Sequence, residues 1–307
     1  MKNYIEYILF TPFLFVLKSL PLSLVRKIVV CLSFLAFKVF GVRRAIAMEN
    51  LKHAFPEKDI SELKVIAYKS FKNFLLTIME SLYTPKLSAD ELSAMIELEN
   101  SEMLSNYMNG ERGKIILSAH FGNWEYLGQF IGINFKTRVP AIVKRMRNPL
   151  TDKHFVRSRN SYEYLYTLYM DKNIKEIYKV LIDGKPMIML ADQSAPPEAL
   201  YVKFFNRWAT VFQGPAVFAL KCKSTIMMVL SIRNKNNTFK IIHEEIKTED
   251  LKESSPENIY ELTKRHVEVL EKYVRKYPEQ WQWSHRRWKH TDKYEIFGNP
   301  ALKKENK

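Results

Sequence analysis

The stretch Lys114-Ile-Ile-Leu-Ser-Ala-His-Phe-Gly-Asn-Trp-Glu125 decides how the rest of the chain is arranged. Its apolar run, Ile115 to Leu117, predicts a short buried β-strand. Gly122 and Asn123 then offer a turn and a helix N-cap, because an Asn side chain accepts hydrogen bonds from the first N–H groups of a helix. Glu125 falls in the first turn of that helix, where the helix dipole favours a carboxylate.

His120 and Glu125 are separated by four residues, and on one continuous helix they would point to different faces. If the two side chains cooperate, His120 must lie in the loop and Glu125 in the helix. A His at the tip of a strand, oriented by a carboxylate, is the arrangement of general-base catalysis. A His that only packs or caps would give the same short pattern, so the assignment depends on the rest of the chain.

Composition and charge limit the class of protein. The 307 residues suffice for one large α/β domain or two small ones, and the 47% of hydrophobic residues allow a substantial core. A net charge of +15 implies an acidic partner, which is nucleic acid, anionic lipid headgroups or an acidic protein. Cys31 and Cys222 have no metal-binding or redox spacing. We expect no metal and no cofactor.

The first 40 residues carry three apolar blocks, at 7–17, 19–25 and 28–37, which prolines and cations interrupt. No block reaches the ~20 residues that a membrane span needs, and no signal-peptide cleavage site follows. The pattern indicates one or two helices that lie in the membrane interface, with Lys and Arg at the headgroups; a buried helix pair is the alternative. We therefore divide the chain into a membrane-associated anchor, 1–40, and an α/β domain, 41–307.

Beyond residue 40, strand and helix patterns alternate, which predicts an α/β fold with a mixed sheet flanked by helices. The patterns include a long helix from Ser61 to Tyr83 with Ser61 as its cap, a buried strand at 187–190, and a strand pair at 225–233 and 238–243. In an open α/β sheet the ends of the strands line the ligand crevice.

Basic and polar side chains follow several of these strands or lie in the C-terminal segment 279–289, which contains three Trp and two Arg. Such loops carry binding sites, and Trp together with Arg suits an interface or an anion-lined cleft. The candidate substrate-binding residues are Arg145, Asn148, Arg157, Arg159, Asp192, Gln193, Arg286 and Arg287.

These motifs, in this order, resemble the late acyltransferases of lipid A biosynthesis, which are the lauroyl and myristoyl transferases of the lysophospholipid acyltransferase superfamily. The resemblance extends over about residues 43–289. It rests on His120-Phe-Gly-Asn-Trp-Glu125, Arg145 with Asn148-Pro149, Asp192-Gln193, Phe204-Phe205, Glu279-Gln280-Trp281 and His285-Arg286-Arg287-Trp288-Lys289. Ser194, where many members carry an acidic residue, and Asn206, where Gly is common, depart from the family pattern.

The resemblance implies a glycerolipid-acyltransferase-like fold and transfer of an acyl chain from a thioester, usually on acyl carrier protein, to a hydroxyl of a membrane amphiphile. His120 matches the general base of the family, Glu125 the carboxylate that orients it, and Arg159 an Arg of the acceptor or oxyanion site. It also implies a location at the cytoplasmic face of the inner membrane, with no nucleic acid as partner.

The chemistry agrees with this implication, because a hydroxyl needs a base to take its proton as it attacks and His has a suitable pKa. Three alternatives stay open on the sequence. One is an acyltransferase for another membrane acceptor, such as an amino-acid lipid or a glycerophosphate. The others are a basic nucleic-acid-binding protein and a catalytically silent membrane or scaffold protein.

Overall fold

The computed structural model describes residues 2–171 and 173–299, so the last eight residues of the expected α/β domain lie outside the described part. Two sheets are formed by strands that are mostly five residues long. The strands are β1 Ile96–Leu98, β2 Lys114–Ser118, β3 Val139–Val143, β4 Leu165–Tyr169, β5 Pro186–Leu190, β6 Leu200–Phe204, β7 Arg207–Val211, β8 Thr225–Arg233 and β9 Phe239–Ile246.

Helices connect most of these strands and cover both faces of the larger sheet. They are α1 Lys2–Lys18, α2 Leu22–Phe34, α3 Arg44–Ala54, α4 Ile60–Tyr83, α5 Ala89–Ala94, α6 Ser101–Asn109, α7 Trp124–Asn134, α8 Pro149–Arg159, α9 Ile174–Ile182, α10 Gly214–Cys222, α11 Pro256–Lys276 and α12 Tyr294–Phe297. A π-helical turn, Leu35–Val39, extends α2.

The larger sheet has seven strands in the order β1-β9-β8-β2-β5-β3-β4. Strands β8, β2, β5, β3 and β4 run parallel, and β9 is antiparallel to β8. The expected mixed sheet flanked by helices is therefore confirmed. Strand β2 lies in the middle, and all five of its residues are buried.

The register of β2 and β5 brings two loops together. Ser118 lies opposite Leu190, so the residues that follow each strand leave the sheet side by side. On β2, Ile116 packs on one face with the apolar residues of α7, whereas Ile115 and Leu117 face the larger core on the other side. This alternation follows from the two-residue period of a strand.

Helix α4 differs from its expected form in two respects. Its N-cap is Asp59, whose carboxylate accepts from the backbone N–H groups of Ser61 and Glu62, so Ser61 is the second helical residue. Its buried face also carries a polar stripe, which we define as Ser70, Asn73, Thr77 and Glu80. The apolar residues Leu63, Ala67 and Phe71 of this helix are buried as well.

Strands β6 and β7 form a hairpin that the sequence patterns did not predict. Phe205 and Asn206 make its two-residue turn, with φ of 51° and 58°. Positive φ at both central positions is the type I′ geometry that matches the twist of the strands. Asn tolerates this conformation better than most residues, which accounts for Asn206 at a position where Gly is common in the resembling family.

The N-terminal helices contact the α/β body directly, whereas the sequence led us to expect a separate element. Arg26 of α2 forms an ion pair with Glu80 of α4 at 2.7 Å, and Thr11 of α1 lies 3.3 Å from His154 of α8. Within the described ranges, no helix has both the length and the apolar character needed to cross a bilayer. The division at residue 40 stays a prediction.

Candidate active site

His120 lies in the loop between β2 and α7, as the sequence predicted. The loop can turn there because Gly122 has a φ of 54° and sits against β8, where a Cβ atom would be 1.5 Å from the carbonyl oxygen of Ser231. Asn123 caps α7 by accepting from the N–H of Tyr126 at 2.9 Å. The side chain of His120 is 22% exposed, so the ring is both held and reachable.

Asp192, which follows β5, holds the His120 ring. Its Oδ1 lies 2.9 Å from Nδ1 of His120, and its Oδ2 accepts from the His120 backbone N–H and from Nε1 of Trp281, each at 2.9 Å. Burial alone would raise the pKa of this carboxyl, but the charge that His120 carries when it is protonated and these hydrogen bonds lower it to about 2. Asp192 is therefore ionised at neutral pH.

An ionised carboxylate can only accept hydrogen bonds, so Nδ1 of a neutral His120 carries the proton and Nε2 presents its lone pair. Nε2 lies 3.3 Å from the side-chain amide of Gln193, which is also 3.4 Å from Oε1 of Gln282. The other side of the ring contacts Trp124, with 4.9 Å between ring centroids. The arrangement is that of a general base oriented by a buried carboxylate.

Glu125 does not hold His120 in the structure, which corrects the expected pairing. The carboxylate of Glu125 binds the Arg159 guanidinium through two hydrogen bonds, of 2.6 and 3.0 Å. Burial would raise the pKa of Glu125, but the charge and hydrogen bonds of Arg159 keep it low. The two side chains form a buried ion pair because Arg159, on α8, reaches the first turn of α7.

The basic loop after β3 joins this ion pair through aromatic and acidic neighbours. The Arg145 guanidinium stacks on the Tyr169 ring at 3.8 Å from its centroid and lies 3.3 Å from Asp171. The Tyr169 hydroxyl donates to Asp152 at 2.7 Å, and the charge of Asp152 is one of the influences that raise the pKa of Arg159. Arg145 and Arg159 therefore belong to one polar region at the carboxyl ends of the strands.

Three of the other predicted substrate-binding residues differ in how far they are buried. The side chain of Asn148 is buried, caps α8 and donates to the backbone of Asn3 and to Glu6 of α1, each at 3.0 Å. Arg157 is exposed on α8 and Arg286 is exposed in the C-terminal segment. Neither arginine forms an ion pair within the described residues.

Arg287 is fully buried, which corrects its expected place in an open cleft. Its Nη1 donates to the Thr210 carbonyl at 2.7 Å, and its guanidinium lies 5.2 Å from the Phe204 ring centroid. Burial lowers its pKa to about 10. Trp281 and Trp283 are also buried in the core. The C-terminal segment 279–289 therefore packs behind the site.

The C-terminal segment 279–289, which we call the Trp-rich segment, is held against the His120 loop by backbone hydrogen bonds, as a neighbouring strand would be. The backbone N–H of Gly122 donates to Gln280 at 2.9 Å, and the N–H of Gln282 donates to the His120 carbonyl at 3.1 Å. Nε2 of His285 accepts from the N–H of Ser194, which fixes the loop after Asp192. Ser194, a departure from the family pattern, thus has a structural role through its backbone.

A second layer of buried polar residues supports the loop and was missed on the sequence. Glu80 of α4 accepts from Arg233 through two bonds of 2.8 and 2.6 Å, from Arg26 at 2.7 Å, and from the Asn123 side chain at 2.7 Å. Thr77 donates to the Gly122 carbonyl at 2.7 Å. The spacing of the polar stripe, by three or four residues along α4, is the signal that could have revealed it.

Within the part of the chain that the structure describes, no group of three His, Cys, Asp or Glu side chains could hold a metal ion. The described residues that contact His120 are suited to orienting a base and moving a proton.

Fold and site together define a class of protein: an α/β domain with a carboxylate-oriented His at the carboxyl end of its central strand. The chain belongs to the family of bacterial lipid A biosynthesis acyltransferases, whose family model matches residues 1–290. This match confirms the resemblance seen in the motifs.

A phosphatidylinositol mannoside acyltransferase of Mycolicibacterium smegmatis is similar to part of the chain. It is 21% identical over 153 residues, which make up 49% of this chain and 50% of the relative. The chain thus spans about half the length of this relative.

Proposed function

We propose that this protein is a membrane-bound O-acyltransferase that moves a fatty acyl chain from an acyl thioester to a hydroxyl of a membrane glycolipid such as a lipid A precursor. The observation that carries the proposal is the His120 ring, whose Nδ1 is fixed by an ionised carboxylate and whose Nε2 is reachable. Membership of the acyltransferase family supports the reaction class.

In the proposed reaction the acceptor hydroxyl attacks the thioester carbonyl while Nε2 of His120 takes its proton. The tetrahedral intermediate then expels the thiolate, which receives that proton from the imidazolium, and an oxygen ester remains. Two of the five N–H donors of Arg159 bind Glu125, and we assign the others to the developing oxyanion or an acceptor anion.

Attack by the acceptor itself requires no acyl-enzyme, and the surroundings of Ser118 support this route. The Ser118 hydroxyl is buried and has no hydrogen-bond partner among the described residues, so His120 does not activate it. Cys222 lies at the end of α10, which leads into the opposite end of the sheet. An enzyme nucleophile would need contact with a base.

We propose acyl carrier protein as the donor and an anionic glycolipid as the acceptor. Arg145, Arg157, Arg159 and Gln193 are the residues that would contact them. Arg145 and Gln193 follow the carboxyl ends of β3 and β5, Arg159 reaches the first turn of α7 through Glu125, and Arg157 is exposed on the same helix as Arg159. Binding of an acidic carrier to a chain of net charge +15 should weaken as salt increases. Equal use of acyl-coenzyme A, with no salt-sensitive binding of the carrier, would contradict this donor.

We also propose that α1, α2 and the π-helical turn lie on the cytoplasmic face of the inner membrane. These elements expose many large apolar side chains, as interfacial helices do. Together with Phe40, which directly follows the turn, they are Tyr4, Ile8, Phe13, Phe15, Val16, Leu24, Val30, Leu32, Phe34, Leu35 and Val39. Lipid A precursors or another glycolipid would then reach the site from the membrane.

Substitution tests the membrane surface better than truncation, because deleting α2 would leave buried Glu80 without one of its partners. Phe15 and Phe40 are 74% and 76% exposed, so Phe15→Glu/Phe40→Glu should fold normally and sediment less with vesicles in high salt. Ile182→Glu, at a site 72% exposed at the other end of the sheet, is the control. Unchanged sedimentation of the double variant would place the anchor elsewhere.

Transfer of a labelled acyl chain tests the reaction itself. Purified His120→Gln should lose about 10²–10⁴-fold in turnover, the usual contribution of a general base, while circular dichroism stays unchanged. His290→Gln, outside the site, should transfer normally. Near-normal turnover of folded His120→Gln would refute the mechanism. Lipid mass spectrometry of a deletion strain identifies the acceptor, because the missing acyl chain marks it.

A further inference from the structure

A cavity of about 540 Å³ opens between the π-helical turn, α3 and α4. Its lining consists of three apolar and three basic residues, which are Phe37, Lys38, Arg44, Ala45, Met48 and Lys64. None of these residues belongs to the site described above. A volume of this size is in the range of small-molecule binding sites, which are concave and mostly apolar with a few polar groups.

The backbone changes direction twice before α3, and these two changes leave space for the cavity. The π-helical turn Leu35–Val39 widens the end of α2, and such turns are rare and occur often at functional sites. Gly41, with a φ of 67°, then reverses the chain. Arg44 donates to the Lys38 carbonyl at 3.1 Å and ties the two sides of the opening together.

All charged residues that line the cavity are basic. Lys38, Arg44 and Lys64 are exposed, and within the described residues none of them forms an ion pair. The Lys38 ammonium lies 5.2 Å from the Tyr68 ring centroid, so an aromatic face rather than a carboxylate is its neighbour. The cavity thus combines three cations that have no acidic partner with apolar lining residues. This combination suits an anionic amphiphile.

The surroundings indicate which amphiphile fits. Phe34, Val39, Phe40 and Val42, which lie in the π-helical turn or within three residues of it, are 50%, 60%, 76% and 45% exposed. These side chains belong to or adjoin the surface proposed above to contact the membrane. A stable protein partner would need a contact area of about 800 Å² on this side. A single phospholipid matches both features, because its phosphate suits the three cations and its acyl chains suit the exposed apolar side chains.

We propose that this cavity binds one anionic phospholipid, with its phosphate among Lys38, Arg44 and Lys64 and the upper part of an acyl chain against Phe37, Ala45 and Met48. The proposal rests on the proposed membrane surface but is independent of the acyl-transfer reaction. The bound lipid would fix how the protein is oriented on an anionic bilayer.

Binding of a short-chain phospholipid below its micellar concentration tests the cavity without a membrane and without turnover. Full-length protein should bind dihexanoyl phosphatidylglycerol at least tenfold more tightly than dihexanoyl phosphatidylcholine. Arg44→Gln/Lys64→Gln should remove this preference. Lys221→Gln/Lys223→Gln, which removes two exposed lysines at the end of α10, should bind as the unaltered protein does.

Filling the cavity separates a real site from general surface charge. Ala45 is an exposed lining residue, so Ala45→Trp should fold and weaken phosphatidylglycerol binding at least tenfold with no change in charge; Ala45→Leu is a smaller second filler. Binding that survives both fillers, or equal binding of the two phospholipids, would overturn the proposal. So would loss of carrier-protein binding by Arg44→Gln/Lys64→Gln with phospholipid binding intact.

Discussion

At the scale of single residues, the partner of His120 is Asp192, 72 positions along the chain. Glu125 is nearer in sequence, but its place in the first turn of α7 directs it to Arg159. Each carboxylate is ionised for a different reason, since Asp192 receives three hydrogen bonds around His120 and Glu125 receives two from a guanidinium. The two carboxylates should therefore behave differently when neutralised.

Asp192→Asn should lower turnover by about 10²–10⁴-fold, because an amide no longer fixes the tautomer of the base or stabilises the imidazolium. The double variant His120→Gln/Asp192→Asn should be hardly worse than the worse single variant, since the two residues act as one unit. Kinetics of labelled acyl transfer measure both effects.

Glu125→Gln is the matched comparison. This substitution should act through Arg159 and not through His120. In the double variant Glu125→Gln/Asp192→Asn, the fold-losses in turnover of the two single variants should therefore multiply. Full loss of turnover in Glu125→Gln together with near-normal turnover in Asp192→Asn would show that the pairing in the structure is not the one used in catalysis.

At the scale of elements, α4 connects the N-terminal helices to the His120 loop. Glu80 joins α2, the Asn123 cap and Arg233 of β8, and Ser70 donates to the Trp281 carbonyl in the Trp-rich segment. The buried polar stripe of α4 therefore forms hydrogen bonds, in place of apolar packing, with loops that have no regular secondary structure. Such loops need side-chain partners for their backbone groups.

Glu80→Gln should lower the free energy of unfolding by about 3–5 kcal/mol, because two arginines would lose their buried counter-charge. Glu62→Gln is the control on the same helix, since Glu62 is 53% exposed and lies 3.6 Å from Lys58, and exposed pairs contribute little. Denaturant unfolding followed by circular dichroism measures both. Equal stability of the two variants would contradict a supporting role for Glu80.

At the scale of the whole molecule, two neutral histidines make stability depend on pH. His266 is 3% exposed, and burial followed by the charge of Arg287 lowers its pKa to about 3. Burial lowers the pKa of His285 to about 4. The unfolded chain binds protons at both positions below pH ~6.5 while the native state does not, so stability falls as the pH decreases from about 6.5 towards 4.

The slope should approach ~1.4 kcal/mol per pH unit for each histidine between about pH 6 and 4.5. His266→Leu should reduce the slope by about that amount for one residue. Asp192, with its pKa of about 2, loses its contribution only below pH ~4. Free energies of unfolding measured at several pH values between about 6 and 4.5 give the slope, and an unchanged slope in His266→Leu would show that this side chain does not titrate as the structure implies.

The sequence by itself determined the local elements of the site. The apolar run at 115–117, the small residues after it and the Asn123 cap define β2, the loop with His120 and the start of α7, because each depends only on neighbouring residues. The strand pair β8–β9 and the α/β class were predictable for the same reason. The motifs along the chain also identified the family.

Only the tertiary structure decided which side chains meet. The register of β2 with β5 places Asp192 beside His120. The packing of α8 on α7 brings Arg159 into an ion pair with Glu125. Burial of Arg287 and exposure of Arg286, adjacent in sequence, depend on the core beneath the C-terminal segment. The periodicity of a sequence shows which face of a single element is buried. The contacts described here join elements that are distant in the chain, so they depend on strand register and on helix packing.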